Sequence, residues 1–328
     1  MIITRTPFRV SFVGGGTDLE AYYRSGHGSV VSTTLRKYMV VTVNRKFDDS
    51  IRVSYSQTEM VDALDQVRHE LVREAMRTTG VTRGVEITTI ADVPGRGTGL
   101  GSSSSLTVGL LHALYAHRHR HVGAARLAEE ACRIEIDTLG APIGKQDQYA
   151  AAYGGLNYIR FNADGSVFVD PIIFNPATRR ELEGSLLMFF TGQTRSAGDI
   201  LTEQKAKTSA GEKTRFLDAM RDQAADLRDA LRNNDLTRFG DMLDKAWEMK
   251  RELAGGISNP RIDQLYALAR KSGALGGKLL GAGGGGFLLF YAPAEKVARV
   301  REALADLKEM EFRFEPQGSK VIYVEEDT

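Results

Sequence analysis

A glycine-rich run followed at once by four serines is the segment of this sequence with the clearest chemical purpose. Glycines let successive backbone amides turn toward an anion, and the serines are expected to cap a helix whose free amides and dipole favour phosphate. The segment is no Walker loop, because no Gly-Lys-Ser/Thr follows at the required spacing. It predicts a phosphate cradle, in preference to a flexible loop before a capped helix. Its residues are Pro94, Gly97, Thr98, Gly99, Leu100, Gly101, Ser102, Ser103, Ser104 and Ser105.

Another glycine-rich segment, Gly276 to Phe287, lies near the C-terminus. It contains a formal G-x-G-x-x-G match, but a dinucleotide fingerprint opens a helix, whereas this segment leads into the strand-like run Phe287 to Tyr291. A loop that closes over phosphate groups is favoured, and a tight bend between packed elements is the alternative. The residues predicted to approach the phosphates are Gly283 and Gly284.

The N-terminal segment places Arg9 in a strand and Asp18 just after a turn of three glycines. A strand arginine can neutralise a phosphate or a nearby base, and a carboxylate on a turn can accept hydrogen bonds from sugar hydroxyls. The alternative for Asp18 is a cap of the helix that follows. The predicted substrate-binding residues of this turn are Gly15, Gly16, Thr17 and Asp18.

Composition limits the class of partner. The chain has 328 residues with 43 basic and 42 acidic side chains, and this balance argues against a nucleic-acid-binding protein. No apolar run approaches the roughly 20 residues that span a bilayer, and the N-terminus lacks the pattern of a signal peptide. The single Cys132 excludes an intramolecular disulfide. We expect a cytoplasmic protein with a small-molecule partner and no membrane, and the sequence leaves a homodimer open.

Periodicity predicts an α+β protein with two domains, residues 1–180 and 181–328. In the first, strands are expected at 2–12, 30–45, 51–55, 84–90, 156–161 and 167–170, and helices at 62–78, 103–117 and 124–136. The second is predicted to be a ferredoxin-like α+β domain with an antiparallel sheet. Its strands are expected at 186–190, 287–291 and 320–324, and its helices within 213–233, 236–253, 261–272 and 294–310.

In this order, the three glycine segments resemble the GHMP small-molecule kinases over the whole chain. The family's central motif, a proline and then G-L-G-S-S, matches from Pro94 to Ser103, and its C-terminal glycine motif matches from Lys278 to Phe287. The resemblance implies a two-domain GHMP kinase architecture and ATP and Mg²⁺ as cofactors. It also implies that the first segment described above binds the ATP phosphates.

Site residues carried over from the family are implied by the same resemblance. Ser103 or a neighbouring serine would supply a hydroxyl to Mg²⁺, and Glu135 would supply a carboxylate. Asp147 would lie against the attacking hydroxyl as the catalytic base, with Arg9 beside it to keep it ionised. Phosphoryl transfer needs mainly positioning, a cation and a group that orients the nucleophile, so these residues would suffice.

Three segments point to one branch of the family: Gly14 to Asp18, residues 144–155 and residues 189–201. They are similar to the branch that phosphorylates D-glycero-D-manno-heptose 7-phosphate at its anomeric hydroxyl, toward nucleotide-activated heptose for surface polysaccharide. Lys145 and Arg195 are the candidates to hold the substrate phosphate of such a sugar. A fucokinase-like or galactokinase-like enzyme, or a sensor without catalysis, remains the alternative.

Overall fold

The computed structural model describes residues 1–94, 97–192 and 198–325. The strands are β1 (Ile2–Val13), β2 (His27–Arg45), β3 (Ile51–Ser54), β4 (Thr58–Val61), β5 (Val85–Ala91), β6 (Leu156–Asn162), β7 (Val167–Pro171), β8 (Leu186–Phe190), β9 (Gly276–Leu279), β10 (Phe287–Tyr291), β11 (Lys308–Glu309) and β12 (Lys320–Val324). The helices are α1 (Glu20–Tyr23), α2 (Glu70–Thr79), α3 (Ser102–His117), α4 (Ala124–Cys132), α5 (Gln146–Tyr153), α6 (Pro176–Ser185), α7 (Gly198–Ser209), α8 (Thr214–Arg232), α9 (Phe239–Arg251), α10 (Pro260–Lys271) and α11 (Ala294–Ala303), with a 3₁₀ turn at Leu64–Gln66 and a π-helical turn at Arg133–Thr138.

The larger sheet is built on the long antiparallel pair β1 and β2. Its order among the described strands is β12-β1-β2-β5-β3-β4, with β6 on the other half of β2 and β7 beyond β6. Helix α3, which is buried along most of its length, packs across β1 and β2. The backbones come close because Gly109 has no side chain: a Cβ there would lie 2.9 Å from Thr6 Oγ1. The middle of α3 is thereby held against β1, the strand that carries Arg9.

The smaller sheet has the antiparallel order β11-β8-β10-β9. With the intervening helices this gives a β-α-β-β-α-β arrangement with a 4-1-3-2 order, which is the ferredoxin-like fold. Its helices pack large apolar side chains such as Trp247 and Phe290 into a second core. The predicted two-part α+β architecture is therefore confirmed.

The C-terminal strand differs from its prediction. The sequence predicts residues 320–324 as the closing strand of the second domain, but β12 pairs with β1 in the larger sheet, and the short β11 closes the smaller one. The chain from about Phe314 onward therefore returns to the N-terminal half, and a boundary at residue 180 does not separate the two sheets cleanly. Local periodicity identifies a strand, but its partner depends on the path of the chain.

Helix assignments also differ in part. The sequence predicts a turn-rich segment up to Asp147 and then the strand at 156–161, with no helix between them, whereas α5 occupies Gln146–Tyr153. Neither α6 nor α7 is predicted. Helix α4 ends at Cys132 and continues as a π-helical turn, where the sequence predicts an uninterrupted helix to residue 136. Among the described residues, no helix has the length and apolar character needed to cross a membrane.

The two glycine-rich loops touch each other through bare backbone. Gly281 has φ +74°, and a Cβ on it would lie 2.3 Å from the Cα of Gly99. A Cβ on Gly99 would in turn lie 2.3 Å from the carbonyl oxygen of Leu280. Any side chain at these two positions would force the loops apart, so their glycines are required by close approach as well as by backbone conformation.

We expect Gly281→Ala to destabilise the protein more than Gly140→Ala does. Gly140 has a similar φ of +68° but open space around its Cβ position, so it isolates the backbone cost, roughly 1–2 kcal/mol. The clash with Gly99 should add about 1–3 kcal/mol. Urea unfolding monitored by circular dichroism measures both values, and equal losses would show that the loops separate without cost.

Candidate active site

A cavity of about 540 Å³ brings the three glycine segments together. It lies where the phosphate cradle, the N-terminal glycine turn and the loop before β10 converge, with α5 and α9 completing the wall. Most of the predicted site residues contribute to its lining. Those that do are Arg9, Gly15, Gly16, Asp18, Gly97, Thr98, Gly99, Gly101, Ser102, Ser103, Asp147 and Gly283.

Arg9 and Asp147 form a bidentate ion pair in this cavity. Arg9 Nε lies 2.8 Å from Asp147 Oδ1, and an Nη lies 2.6 Å from Oδ2. The other Nη donates to the carbonyl oxygen of Gly99, and the Arg9 backbone amide donates to Leu100 at 3.1 Å. One buried arginine therefore joins the carboxylate to the phosphate cradle. Because the Asp147 side chain is still 21% exposed, its carboxylate remains reachable from the cavity.

The cradle runs directly into α3. The N-terminal cap of α3 is Gly101 and not one of the serines that the sequence predicts as caps, because these serines lie within the helix. Gly101 has φ +76°, and a Cβ there would lie 3.3 Å from Asp147 Oδ2. The amides of the first helical turn have no carbonyl partner within the helix and carry the positive end of its dipole. Ser102 and Ser103 line the cavity beside them. This arrangement suits the phosphates of a nucleotide.

Asp18 is buried, and both of its carboxylate oxygens are held by backbone amides. Gly16 donates to Oδ1 at 2.9 Å and Gln146 donates to Oδ2 at 3.2 Å. It makes no capping bond to α1, so the capping alternative is not observed. Burial raises the pKa of Asp18, and the two amide hydrogen bonds oppose that effect. Gly144 makes room for the carboxyl group, since a Cβ on it would lie 2.1 Å from Oδ2.

Glu135 lies in the π-helical turn, behind the start of α3. Its side chain is buried and accepts a hydrogen bond of 2.7 Å from Gln148 Nε2. Burial raises the pKa of Glu135 to about 7, and the hydroxyls of Ser104 and Ser103 with the Gln148 amide oppose that rise. Within the described residues it has no lysine or arginine partner, and no cluster of three acidic, histidine or cysteine side chains could hold a metal ion.

Several predicted residues lie outside the cavity lining. Thr17 is fully buried, and its hydroxyl donates to the carbonyls of Gly14 and Ser29, so it shapes the turn. Ser105 likewise donates to the carbonyl of Pro7. Lys145 donates to Gly165 and lines an adjoining cavity of about 290 Å³. Arg195 lies outside the described residues. The other predicted residues that do not line the main cavity are Pro94, Leu100, Ser104, Glu135 and Gly284.

Five polar residues of the cavity wall are absent from the predicted set: Ser11, Gln146, Gln204, Lys250 and Lys278. Lys278 belongs to the C-terminal glycine segment, and that context was an available signal. Ser11 and Gln146, whose side chains are 2.5 Å apart, flank predicted residues. Lys250 lies in α9, an amphipathic helix whose sequence gives no reason to single out one lysine. Its position in the cavity depends on how the two domains pack.

Comparison with known proteins shows the family to which this chain belongs. The family "GHMP kinases N terminal domain" matches residues 64–155, and "GHMP kinases C terminal" matches residues 227–308. A D-glycero-alpha-D-manno-heptose 7-phosphate kinase of Campylobacter jejuni is 31% identical over 97% of this chain and 98% of its own. The chain therefore belongs to the GHMP kinase family, and it is a phosphotransferase of that family.

More particular similarities point in the same direction. A crystal structure of a D-glycero-D-manno-heptose 1-phosphate kinase from Bacteroides thetaiotaomicron superposes with a TM-score of 0.82 at 26% identity, covering 99% of this chain and all of that one. A bifunctional fucokinase/GDP-fucose pyrophosphorylase of Arabidopsis thaliana is 29% identical over 94% of this chain, which spans 31% of that protein. A galactokinase of Lactococcus lactis, at 17% identity and a TM-score of 0.78, shares the fold.

We expect the Arg9–Asp147 pair to behave as one unit in stability measurements. Arg9→Met and Asp147→Asn should each cost about 2–4 kcal/mol, because each leaves a largely buried partner without its counter-charge. The double variant should lose at least about 1.5 kcal/mol less than the sum. Denaturant unfolding of all four proteins gives this coupling energy.

The control cycle uses Arg301 and Glu309, which form a bidentate pair of 2.6 and 2.8 Å near the surface. Its coupling should stay below about 1 kcal/mol. Equal coupling in the two cycles would show that burial contributes nothing to the pair in the cavity.

Proposed function

We propose that this protein transfers the γ-phosphoryl group of ATP to the anomeric hydroxyl of D-glycero-D-manno-heptose 7-phosphate. The observation that carries the proposal is the Arg9–Asp147 pair, held against the phosphate cradle in one cavity. Its support is the similarity, along nearly the whole chain, to a protein named as a heptose 7-phosphate kinase. The product would be a heptose 1,7-bisphosphate, for activation with a nucleotide and use in surface polysaccharide.

Asp147 supplies the group that orients the acceptor. Its exposed carboxylate edge accepts a hydrogen bond from the anomeric hydroxyl, and it takes the proton as the oxygen bonds to phosphorus. Arg9 holds the carboxylate through two hydrogen bonds and keeps it from rotating away. The cradle amides and the start of α3 bind the triphosphate. Catalysis would then rest mainly on positioning and electrostatics, as phosphoryl transfer requires.

Ser103 and Glu135 are the residues that would hold Mg²⁺. The two side chains are neighbours, and the Glu135 carboxyl is buried without a cation among the described residues, as the rise of its pKa to about 7 reflects. A divalent cation would offset the energetic cost of burying the ionised carboxylate. Mg²⁺ usually takes one or two protein oxygens as ligands, together with phosphate oxygens and water. The residues therefore fit the ion, which would neutralise charge on the triphosphate when bound.

The acceptor would lie between Asp147 and the N-terminal glycine turn. Asp18 with Gly15 and Gly16 lines this part of the cavity and offers carboxylate and backbone groups to sugar hydroxyls. Asp18 also borders the adjoining cavity, which Lys145, Arg24 and Arg133 line as well. We assign the substrate phosphate to this second cavity, with Lys145 as its principal partner, and retain Arg195 as a further candidate.

A fucokinase-like activity is the second candidate, because the similarity to the bifunctional fucokinase extends over nearly all of this chain. A galactokinase-like enzyme or a sensor without catalysis has less support, since the cavity contains both the Arg9–Asp147 ion pair and the phosphate cradle. We place the protein in the cytoplasm on the grounds of its ATP requirement and the free, buried Cys132. A homodimer is compatible with this assignment.

The acceptor is tested with a panel in a coupled ADP-release assay at saturating ATP and Mg²⁺. Heptose 7-phosphate should be turned over, and unphosphorylated heptose, fucose and galactose should give much lower kcat/KM. Lys145→Met should raise the KM for heptose 7-phosphate about tenfold to a hundredfold through loss of a charge-assisted hydrogen bond. Lys271→Met, at an exposed lysine, is the matched control. If fucose were turned over as efficiently as heptose 7-phosphate, the proposal would be rejected in favour of the fucokinase-like activity.

The base is tested with Asp147→Asn, which keeps the shape of the side chain and removes its capacity to take a proton. We expect kcat to fall at least about a hundredfold, with ATP affinity within a few-fold of the wild-type value. Steady-state kinetics and nucleotide titration measure the two effects. Asp306→Asn, at an exposed aspartate, should change neither. Near-normal turnover would mean that Asp147 positions substrate without acting as a base.

A further inference from the structure

Two lysines are buried in the wall of the main cavity. Lys250 in α9 is 7% exposed and Lys278 in β9 is 2% exposed, and both line the cavity. Neither forms an ion pair with a carboxylate within the part of the chain that the structure describes. An ammonium group withdrawn from water without a counter-ion is costly. The cavity wall therefore holds positive charge that the folded protein leaves without an anionic partner.

The contacts of the two ammonium groups differ. Lys278 Nζ donates to the carbonyl oxygen of Phe12 at 2.9 Å, which ties β9 to β1. Lys250 Nζ donates to the carbonyl oxygen of Gly281, in the loop before β10. An ammonium group has three donors, so Lys250 keeps donors for a ligand in the cavity that it lines.

The location of Lys250 indicates which anion it serves. Its partner Gly281 lies against Gly99 of the phosphate cradle. Its charge also interacts with Arg9, Asp18 and Asp147, so it is close to the base as well. A phosphoryl group that moves from the cradle to a hydroxyl at Asp147 must pass through this space. The charge of Arg9 is already matched by Asp147, whereas that of Lys250 is not.

We propose that Lys250 binds the γ-phosphoryl group of ATP and stays with it during transfer, as a catalytic residue. This proposal rests on the proposed function only in taking ATP as the phosphate donor. It does not depend on which sugar is the acceptor.

In the transfer step the bond between the β,γ-bridging oxygen and the γ-phosphorus breaks, and its electron pair stays on ADP. The acceptor oxygen forms the new bond to phosphorus, and its proton goes to Asp147. Lys250 keeps its own proton throughout and neutralises charge on the peripheral oxygens of the transferring group.

The electrostatics agree with this placement. Burial and the neighbouring Arg9 lower the pKa of Lys250 to about 8, while Asp18 and Asp147 act against that shift. Lys278 faces it from β9, and its own pKa is lowered by burial and by Lys250 and Arg9. Lys250 is therefore charged below about pH 8 in the free protein and loses its charge above it. Capture of ATP should weaken above that pH, and a bound triphosphate should move the loss of kcat to higher pH.

The experiment compares nucleotide affinities by isothermal titration calorimetry in Mg²⁺ buffer, without any sugar. Lys250→Met should weaken binding of the non-hydrolysable ATP analogue AMP-PNP at least about tenfold, with ADP affinity within about threefold of the wild-type value. Lys245→Met changes an exposed lysine of the same helix and should alter neither. Lys250→Arg should restore part of the AMP-PNP affinity and extend the alkaline limit of kcat/KM. Lys250→Gln, with thermal unfolding of every variant, provides a second neutral substitution if Lys250→Met does not fold.

The outcomes separate this inference from the proposed function. Equal weakening of AMP-PNP and ADP would assign Lys250 a structural role and overturn the inference. Unchanged AMP-PNP affinity with a raised KM for heptose 7-phosphate would assign Lys250 to the acceptor, which also overturns it. Selective loss of AMP-PNP affinity, in a protein that does not phosphorylate heptose 7-phosphate, would support Lys250 and reject the proposed sugar.

Discussion

The ion pair between Arg9 and Asp147 is the interaction on which the rest of the site depends. Arg9 belongs to β1 and Asp147 to the first turn of α5, so the pair joins the larger sheet to that helix. The same guanidinium donates to Gly99, and the amide of Arg9 donates to Leu100. Arg9 thus fixes the Asp147 carboxylate and the phosphate cradle relative to each other.

The glycines follow from that constraint as much as from phosphate binding. At Gly101 a Cβ would press on both members of the ion pair, at 3.2 Å from Arg9 Cγ and 3.3 Å from Asp147 Oδ2. At Gly99 and Gly281 it would drive apart the two loops, which touch each other at these positions beside the cavity. Bare backbone allows the phosphate cradle, Asp147 and the loop before β10 to meet within a few ångströms. A cavity made of backbone amides also presents donors that need no side-chain ordering.

Charge in the cavity is arranged to receive polyanions. The carboxylates are engaged before any ligand arrives: Asp147 by Arg9, and Asp18 by two backbone amides. The lysines at 250 and 278 have carbonyl partners in place of carboxylates. The wall therefore holds fixed hydrogen-bond donors and two lysines without carboxylate partners among the described residues. Preorganised donors of this kind stabilise the charge of bound phosphate groups.

The sequence by itself determined those features that depend on residues close together in the chain. The glycine turn from Gly97 to Gly101, the helix that begins at Ser102 and the α+β alternation were predictable, because glycine conformation and apolar periodicity act over a few residues. The prediction of Asp147 and Glu135 as site residues came from resemblance to a family. Tertiary structure decided what depends on distant segments: the pairing of β12 with β1, and the presence of Lys250 in the cavity. The residues next to a lysine in an amphipathic helix do not indicate that it is buried, because the strands and loops that cover it lie far away in the sequence.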